Sequence, residues 1–179
     1  MITTLVAIAV FIAFALKEAH EDRKGKPVDA HAPDWVDRAT FAFVVAVCCA
    51  YANIYTTDAT VWGFLWKLLG FGLIAYGLFT PVFRWRLNRL RGMDARYVSP
   101  SSAYDWFFIW CAMPAPKEGG KLWHLFSHDT IGGARMKHAE LYSSNLDFWT
   151  RIHRAGFIAY LVEGLALLIG CAITLELWK

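Results

Sequence analysis

The sequence predicts an all-α, polytopic membrane protein with four transmembrane helices, the first of them short. Three observations predict it. Apolar runs occupy residues 2–16, 35–54, 61–83 and 155–177. The chain is 57% hydrophobic and 18% charged, with mean hydropathy +0.35, whereas a soluble domain is about 45–50% apolar and about 25% charged. The basic residues are distributed asymmetrically. Lys17, Arg23, Lys24, Lys26 and Arg38 lie between the first two spans, Arg38 in the opening turns of the second, and the run of basic residues from Arg84 to Arg154 lies between the last two. Only Lys67 and Lys179 fall elsewhere. Cytoplasmic loops retain Lys and Arg, so both basic loops face the cytoplasm and both termini the opposite side. The same bias accounts for the net charge of +3, which is therefore no signature of nucleic-acid binding.

The first run has fifteen residues, fewer than the roughly twenty a bilayer requires. It lacks the basic n-region of a signal peptide. Continuation through Lys17, Glu18 and Ala19, with the lysine stem snorkelling, supplies the missing length; a tilted or interfacial helix is the alternative. A polar loop is expected over 17–33. Asp34 is then the N-cap of the second span, with Asp37 as its capping-box partner. Trp35 at the inner end of that span and Tyr51 and Tyr55 at its outer end fit an interfacial aromatic belt. The short link 55–60 makes spans two and three a helical hairpin.

The third helix is expected to run from Val61 to Arg91, roughly 46 Å at 1.5 Å per residue, and so to project into the cytoplasm. Gly92 is placed to end it in a left-handed conformation, and Pro81 lies inside it. A short helix over 104–113, capped by Ser102 and Asp105, is too brief to span and reads as interfacial. From Ala134 a helical pattern resumes, and a helix restarted at Ser143 or Ser144 runs on into the last span. The organisation is three helices and a basic helix end in 1–92, a cytoplasmic or interfacial amphipathic segment in 93–153, and a final transmembrane helix in 154–179.

Small residues recur at seven-residue steps: Gly63, Gly70 and Gly77 in the third span, Gly156 and Gly170 flanking Glu163 in the last. A seven-residue step holds one seam of a helix, and small residues on a seam let helices approach closely in lipid. Spans three and four are expected to pack through these seams, within the chain or between protomers. Lys67 and Glu163 put one charge on each seam, a costly placement that marks a functional hypothesis. Lys67 lies about 8 Å and Glu163 about 20 Å below the outer ends of their helices. That mismatch argues against a direct pair. Lys67 is expected to snorkel outward, leaving Glu163 protonated or bonded to a hydroxyl or a partner subunit.

Arg84, Arg86, Arg89 and Arg91 form a basic helix end suited to lipid headgroups or an acidic partner. His124 and His128 share the i, i+4 spacing of metal pairs but lack the Glu of H-E-x-x-H, so they read as interfacial histidines and no metal site is assigned. The four cysteines form no C-x-x-C and read as small apolar residues. No span holds a central histidine for haem, and no phosphate loop or nucleophile elbow is present. No cofactor is expected beyond bound lipid.

Over 88–105 the residues Asn88, Arg91, Gly92, Tyr97, Val98, Ser102 and Asp105 follow an Asn…Arg-Gly…Tyr-Val…Ser…Asp pattern after an apolar helix. This resembles small uncharacterised polytopic membrane proteins of bacterial phages and prophages. The resemblance covers about twenty residues, and the longer segment 106–154 departs from it. It implies no activity, but implies a phage-related membrane component of a bacterial inner membrane or virion membrane. The leading functional expectation is a non-catalytic accessory or structural subunit with membrane lipids, other membrane subunits or further copies of itself as partners. The alternatives are an interfacial enzyme acting on lipid or quinone through His124, His128, Asp129 and Glu163, and a proton- or ion-conducting or holin-like protein centred on Glu163.

Overall fold

The computed structural model describes residues 2–22, 31–54, 60–99, 103–112 and 146–176. The described residues form five helices: α1 Ile2–Glu21, α2 His31–Ile54, α3 Val61–Leu90, α4 Ala103–Ala112 and α5 Leu146–Leu175. Four of them contain stretches long and apolar enough to cross a membrane, Ile2–Glu21, Val36–Ile54, Val61–Leu90 and Ile152–Leu175. The protein is an integral, polytopic, all-helical membrane protein.

Each boundary has a local cause. α1 continues past its apolar run to Glu21 and reaches 20 residues, about 30 Å, enough to cross a hydrocarbon core. α2 begins at His31, earlier than expected, so Asp34 lies inside the helix and does not cap it. Pro33 is tolerated there because the first-turn N–H groups have no intrahelical acceptor. Thr60 caps α3: its backbone is extended and its Oγ1 accepts the Gly63 N–H at 3.0 Å. At the other end Arg91 is the C-cap and Gly92 takes a φ of +71°, a conformation that suits a residue without Cβ. α5 is one uninterrupted helix of 30 residues.

The chain divides into two compact units. The first combines residues 1–92 with 162–179, and the second is Met93–Leu161. In the first, α1 buries one stripe, Thr4, Ala7, Phe11, Ala15 and Ala19, at the three- and four-residue steps of a helix face. Ala7 and Phe11 join Ala46, Cys49 and Ala50 of α2 and Phe71, Ile74 and Ala75 of α3 in the core. An aromatic column continues it. Phe14 stacks on Phe41 at 4.0 Å between ring centroids and approaches Phe79 at 5.3 Å, and Phe79 stacks on Phe83 at 5.6 Å. The outward residues Val6, Phe43, Trp66, Leu165 and Leu168 are exposed, as expected of surfaces that meet lipid. With lipid as apolar as the core, such packing is held by close contact and not by escape from water.

In the second unit, α4 supplies Phe108 and Ile109, the preceding turn Val98, and the start of α5 Ile152, Ala155 and Ala159. Asp105, in the first turn of α4, accepts the Ser99 N–H at 2.8 Å. The Tyr160 hydroxyl donates to the Ala95 carbonyl at 2.6 Å.

Candidate functional site: charges buried among the helices

Among the described residues, Arg38, Lys67, Arg84 and Glu163 are charged side chains buried within membrane-spanning segments, and the first unit pairs each of them. The seams of α3 and the C-terminal half of α5 set the frame. A methyl group at Gly77 would lie 2.6 Å from both the Glu163 carbonyl oxygen and the Leu167 nitrogen. One at Gly170 would lie 2.6 Å from the Gly70 carbonyl oxygen, and one at Gly70 2.8 Å from Ile173 Cγ2. The two backbones therefore touch where only hydrogen fits. Residue numbers rise along α3 as they fall along α5, so the helices run antiparallel.

This register sets the charge pairing. Glu163 is fully buried, and its carboxylate accepts two bonds from Arg84: Nη1 to Oε2 at 3.0 Å and Nη2 to Oε1 at 2.9 Å. Helical side chains lean toward their own N-terminus. In antiparallel helices, Arg84 and Glu163 therefore lean toward each other from about a turn apart. The parallel fork of guanidinium and carboxylate is the strongest geometry available to such a pair.

Lys67 occupies the other end of the same seam. It is 5% exposed and pairs with Glu176 Oε1 at 2.8 Å. Its Nζ also donates to the carbonyls of Thr174 at 3.0 Å and Ile173 at 3.4 Å. Those carbonyls end α5 without intrahelical partners, and a cation suits that pole of the helix. Lys67 thus does not snorkel away; the C-terminus of α5 supplies acceptors within the protein. Glu176, thirteen residues beyond Glu163, is the carboxylate at its depth.

A third cluster gathers α1, α2 and α3. Arg38 Nε donates to Glu18 Oε2 at 2.8 Å and Nη2 to Asp22 Oδ2 at 2.8 Å, while its guanidinium carbon lies 4.7 Å from the centre of the Phe83 ring. Glu18 and Asp22 are four apart and share a helix face. Arg91 Nη2 donates to the Asp22 carbonyl at 3.1 Å.

The basic helix end therefore separates into distinct roles. Arg84 is buried in an ion pair and does not meet headgroups, because it sits seven residues beyond Gly77 on the same seam. Arg91 ties α3 to the end of α1. Arg89 is exposed, and Arg86 lines an open groove with Trp85, Leu16, Lys17, His20 and Glu21. Among the small residues, Gly70, Gly77 and Gly170 lie at the α3/α5 contact. Gly63 serves the Thr60 cap. Gly156 belongs to the second unit, where an added methyl would collide with the Arg96 carbonyl oxygen; it packs against the turn after α3. His124, His128 and Asp129 lie outside the described residues. Among the described residues no three His, Cys, Asp or Glu side chains form a group able to hold a metal.

In the second unit Asp94 accepts the Arg96 N–H at 2.8 Å. That bond holds its carboxyl below the ordinary carboxylate range; slight burial opposes the shift, and the charges of Arg96 and His153 reinforce it.

Sequence reasoning placed Glu163 on its seam but missed both Arg84 as its partner and the Arg38 cluster. A signal for each was present. Gly63, Gly70, Gly77, Arg84 and Arg91 form one series at seven-residue steps, so Arg84 continues the packing seam. Glu18 and Asp22 share a face once α1 extends past Leu16. No protein-family model matches the chain, and no curated protein and no solved structure matches it either.

Proposed function

We propose that this chain is a non-catalytic accessory or structural subunit of a membrane assembly, both of its termini on the non-cytoplasmic side. The phage-like segment over 88–105 favours a phage-related setting, in a bacterial inner membrane or a virion membrane. One observation carries the reading. The buried charges of the first unit are engaged with other elements of the same chain: Arg84 with Glu163, Lys67 with Glu176 and the end of α5, Arg38 with Glu18 and Asp22. A relay or a general acid–base needs a group free to exchange its proton with substrate or water. A carboxylate held in a two-point fork by an arginine is instead suited to clamping helices. Conduction centred on Glu163, and catalysis through Glu163 at the interface, both draw less support from this arrangement.

The test is purification in mild detergent from the native membrane, followed by mass spectrometry of everything retained. Stoichiometric protein partners without metal or quinone are the expected result. A lone chain carrying metal, quinone or another redox group would overturn the reading. Labelling of cysteines introduced at residues 3 and 178 by a membrane-impermeant reagent tests sidedness. Protection of both in intact cells, with labelling after permeabilisation, would reverse the orientation.

A further inference from the structure

We propose that the groove between the C-terminal ends of α1 and α3 is a binding site for an anionic phospholipid. It holds the headgroup phosphate at Arg86 and Lys17 and the first part of an acyl chain against Leu16 and Trp85. The groove has a volume of about 580 Å³, opens outward, and is lined by Leu16, Lys17, His20, Glu21, Trp85 and Arg86. It thus combines an apolar wall with a cationic rim, as a lipid requires at the boundary between hydrocarbon and headgroups.

Its depth fits. Arg86 lies twenty-five residues beyond Val61, about 38 Å along the helix, past a hydrocarbon core about 30 Å thick. The contact between Phe14 and Phe79 sets the register of α1 on α3 and brings Lys17 and Glu21 to the level of Trp85 and Arg86. Trp85 is 43% exposed, the placement of an interfacial aromatic.

Its charge fits as well. Lys17 contacts Glu21 at 3.2 Å and Glu18 at 3.4 Å. Glu18 is also engaged by Arg38. Among the described residues no hydrogen bond or ion pair holds Arg86, in contrast to Arg84, Arg91 and Arg38. The groove's own charged lining residues, Lys17, Arg86 and Glu21, leave it net positive. A phosphate diester complements that excess and offers acceptors to a guanidinium in its preferred geometry. A zwitterionic choline headgroup carries no net charge to match it.

The site rests on the membrane reading, but its test in detergent depends neither on sidedness nor on a partner complex. Native mass spectrometry of the purified full chain is used to titrate dioleoylphosphatidylglycerol against dioleoylphosphatidylcholine. The wild type is compared with Arg86→Gln, Lys17→Gln and Arg89→Gln, each first matched to wild type by thermal unfolding without added lipid. The glycerol lipid should bind first and at least about five-fold more tightly, and Arg86→Gln should weaken it about five-fold, the usual worth of one basic residue at an anionic surface. Lys17→Gln should act in the same direction and Arg89→Gln should change affinity less than about two-fold. Equal affinity for the two lipids overturns the proposal, as does an equal loss in Arg86→Gln and Arg89→Gln, which would indicate a diffuse basic surface. Should Arg86→Gln fail to fold, the wild-type lipid ratio and Lys17→Gln decide it alone.

Discussion

Replacing Glu163 with alanine tests the buried clamp directly. The variant leaves the Arg84 guanidinium, 5% exposed, without its two carboxylate acceptors. Breaking a buried pair from one side costs about 3–5 kcal/mol, because the remaining charge stays desolvated. The reverse variant, Arg84→Met, leaves the buried Glu163 carboxylate without its guanidinium partner and should cost a similar amount. Combining these same two substitutions removes the desolvated charges together and should recover part of the loss. The assay is a double-mutant cycle by equilibrium unfolding in mixed micelles, followed by tryptophan fluorescence. A coupling of at least about 2 kcal/mol is expected, above the 0.5 kcal/mol scatter of independent sites. Additive single effects, or a double variant less stable than either single, would refute the clamp.

Three further outcomes follow from the geometry. Gly77→Ala should destabilise by about 1–3 kcal/mol, the usual cost of overpacking, because its methyl meets backbone atoms at 2.6 Å, whereas Gly72→Ala, with nothing within 4 Å, should be neutral or stabilising by up to about 1 kcal/mol; the same unfolding assay compares them. Arg38→Met should destabilise by about 3–5 kcal/mol, since it leaves Asp22 without its guanidinium partner and Glu18 with only the exposed Lys17 at 3.4 Å, and amide exchange over residues 15–22 should rise. The Asp94 carboxyl, held below its ordinary range mainly by the Arg96 N–H, should stabilise the turn above the ordinary carboxylate pKa. That contribution should disappear as pH falls through the lowered folded value; exchange of the Arg96 amide between pH 5 and pH 2 reads it, and Asp94→Ala should abolish the pH dependence. The half-exposed side chain limits the effect on global stability.

Much of this architecture was legible in one dimension. Transfer from water to lipid depends on composition summed along a stretch, so the four spans emerged from hydropathy alone. Local backbone chemistry also read directly. Gly92 ends α3 because a residue without Cβ takes a positive φ cheaply. The α1 and α2 boundaries were less legible, since the sequence carried the first helix only as far as Ala19 and left Asp22, which shares a face with Glu18, in the loop. Asp34 looked like a cap, but the open first turn of α2 accommodates Pro33 and lets the helix start earlier.

The sequence by itself determined the number of spans, the basic asymmetry and the seven-residue seams, all of which are properties of order along the chain. Only the tertiary structure decided the partners: Arg84 with Glu163, Lys67 with Glu176, Arg38 with Glu18 and Asp22. The reason is physical. In lipid nearly every face of a helix is apolar, so periodicity weakly marks which face meets which neighbour. The axial register, set by glycine contacts between backbones, and the lean of side chains toward their own N-termini then select which charges can touch.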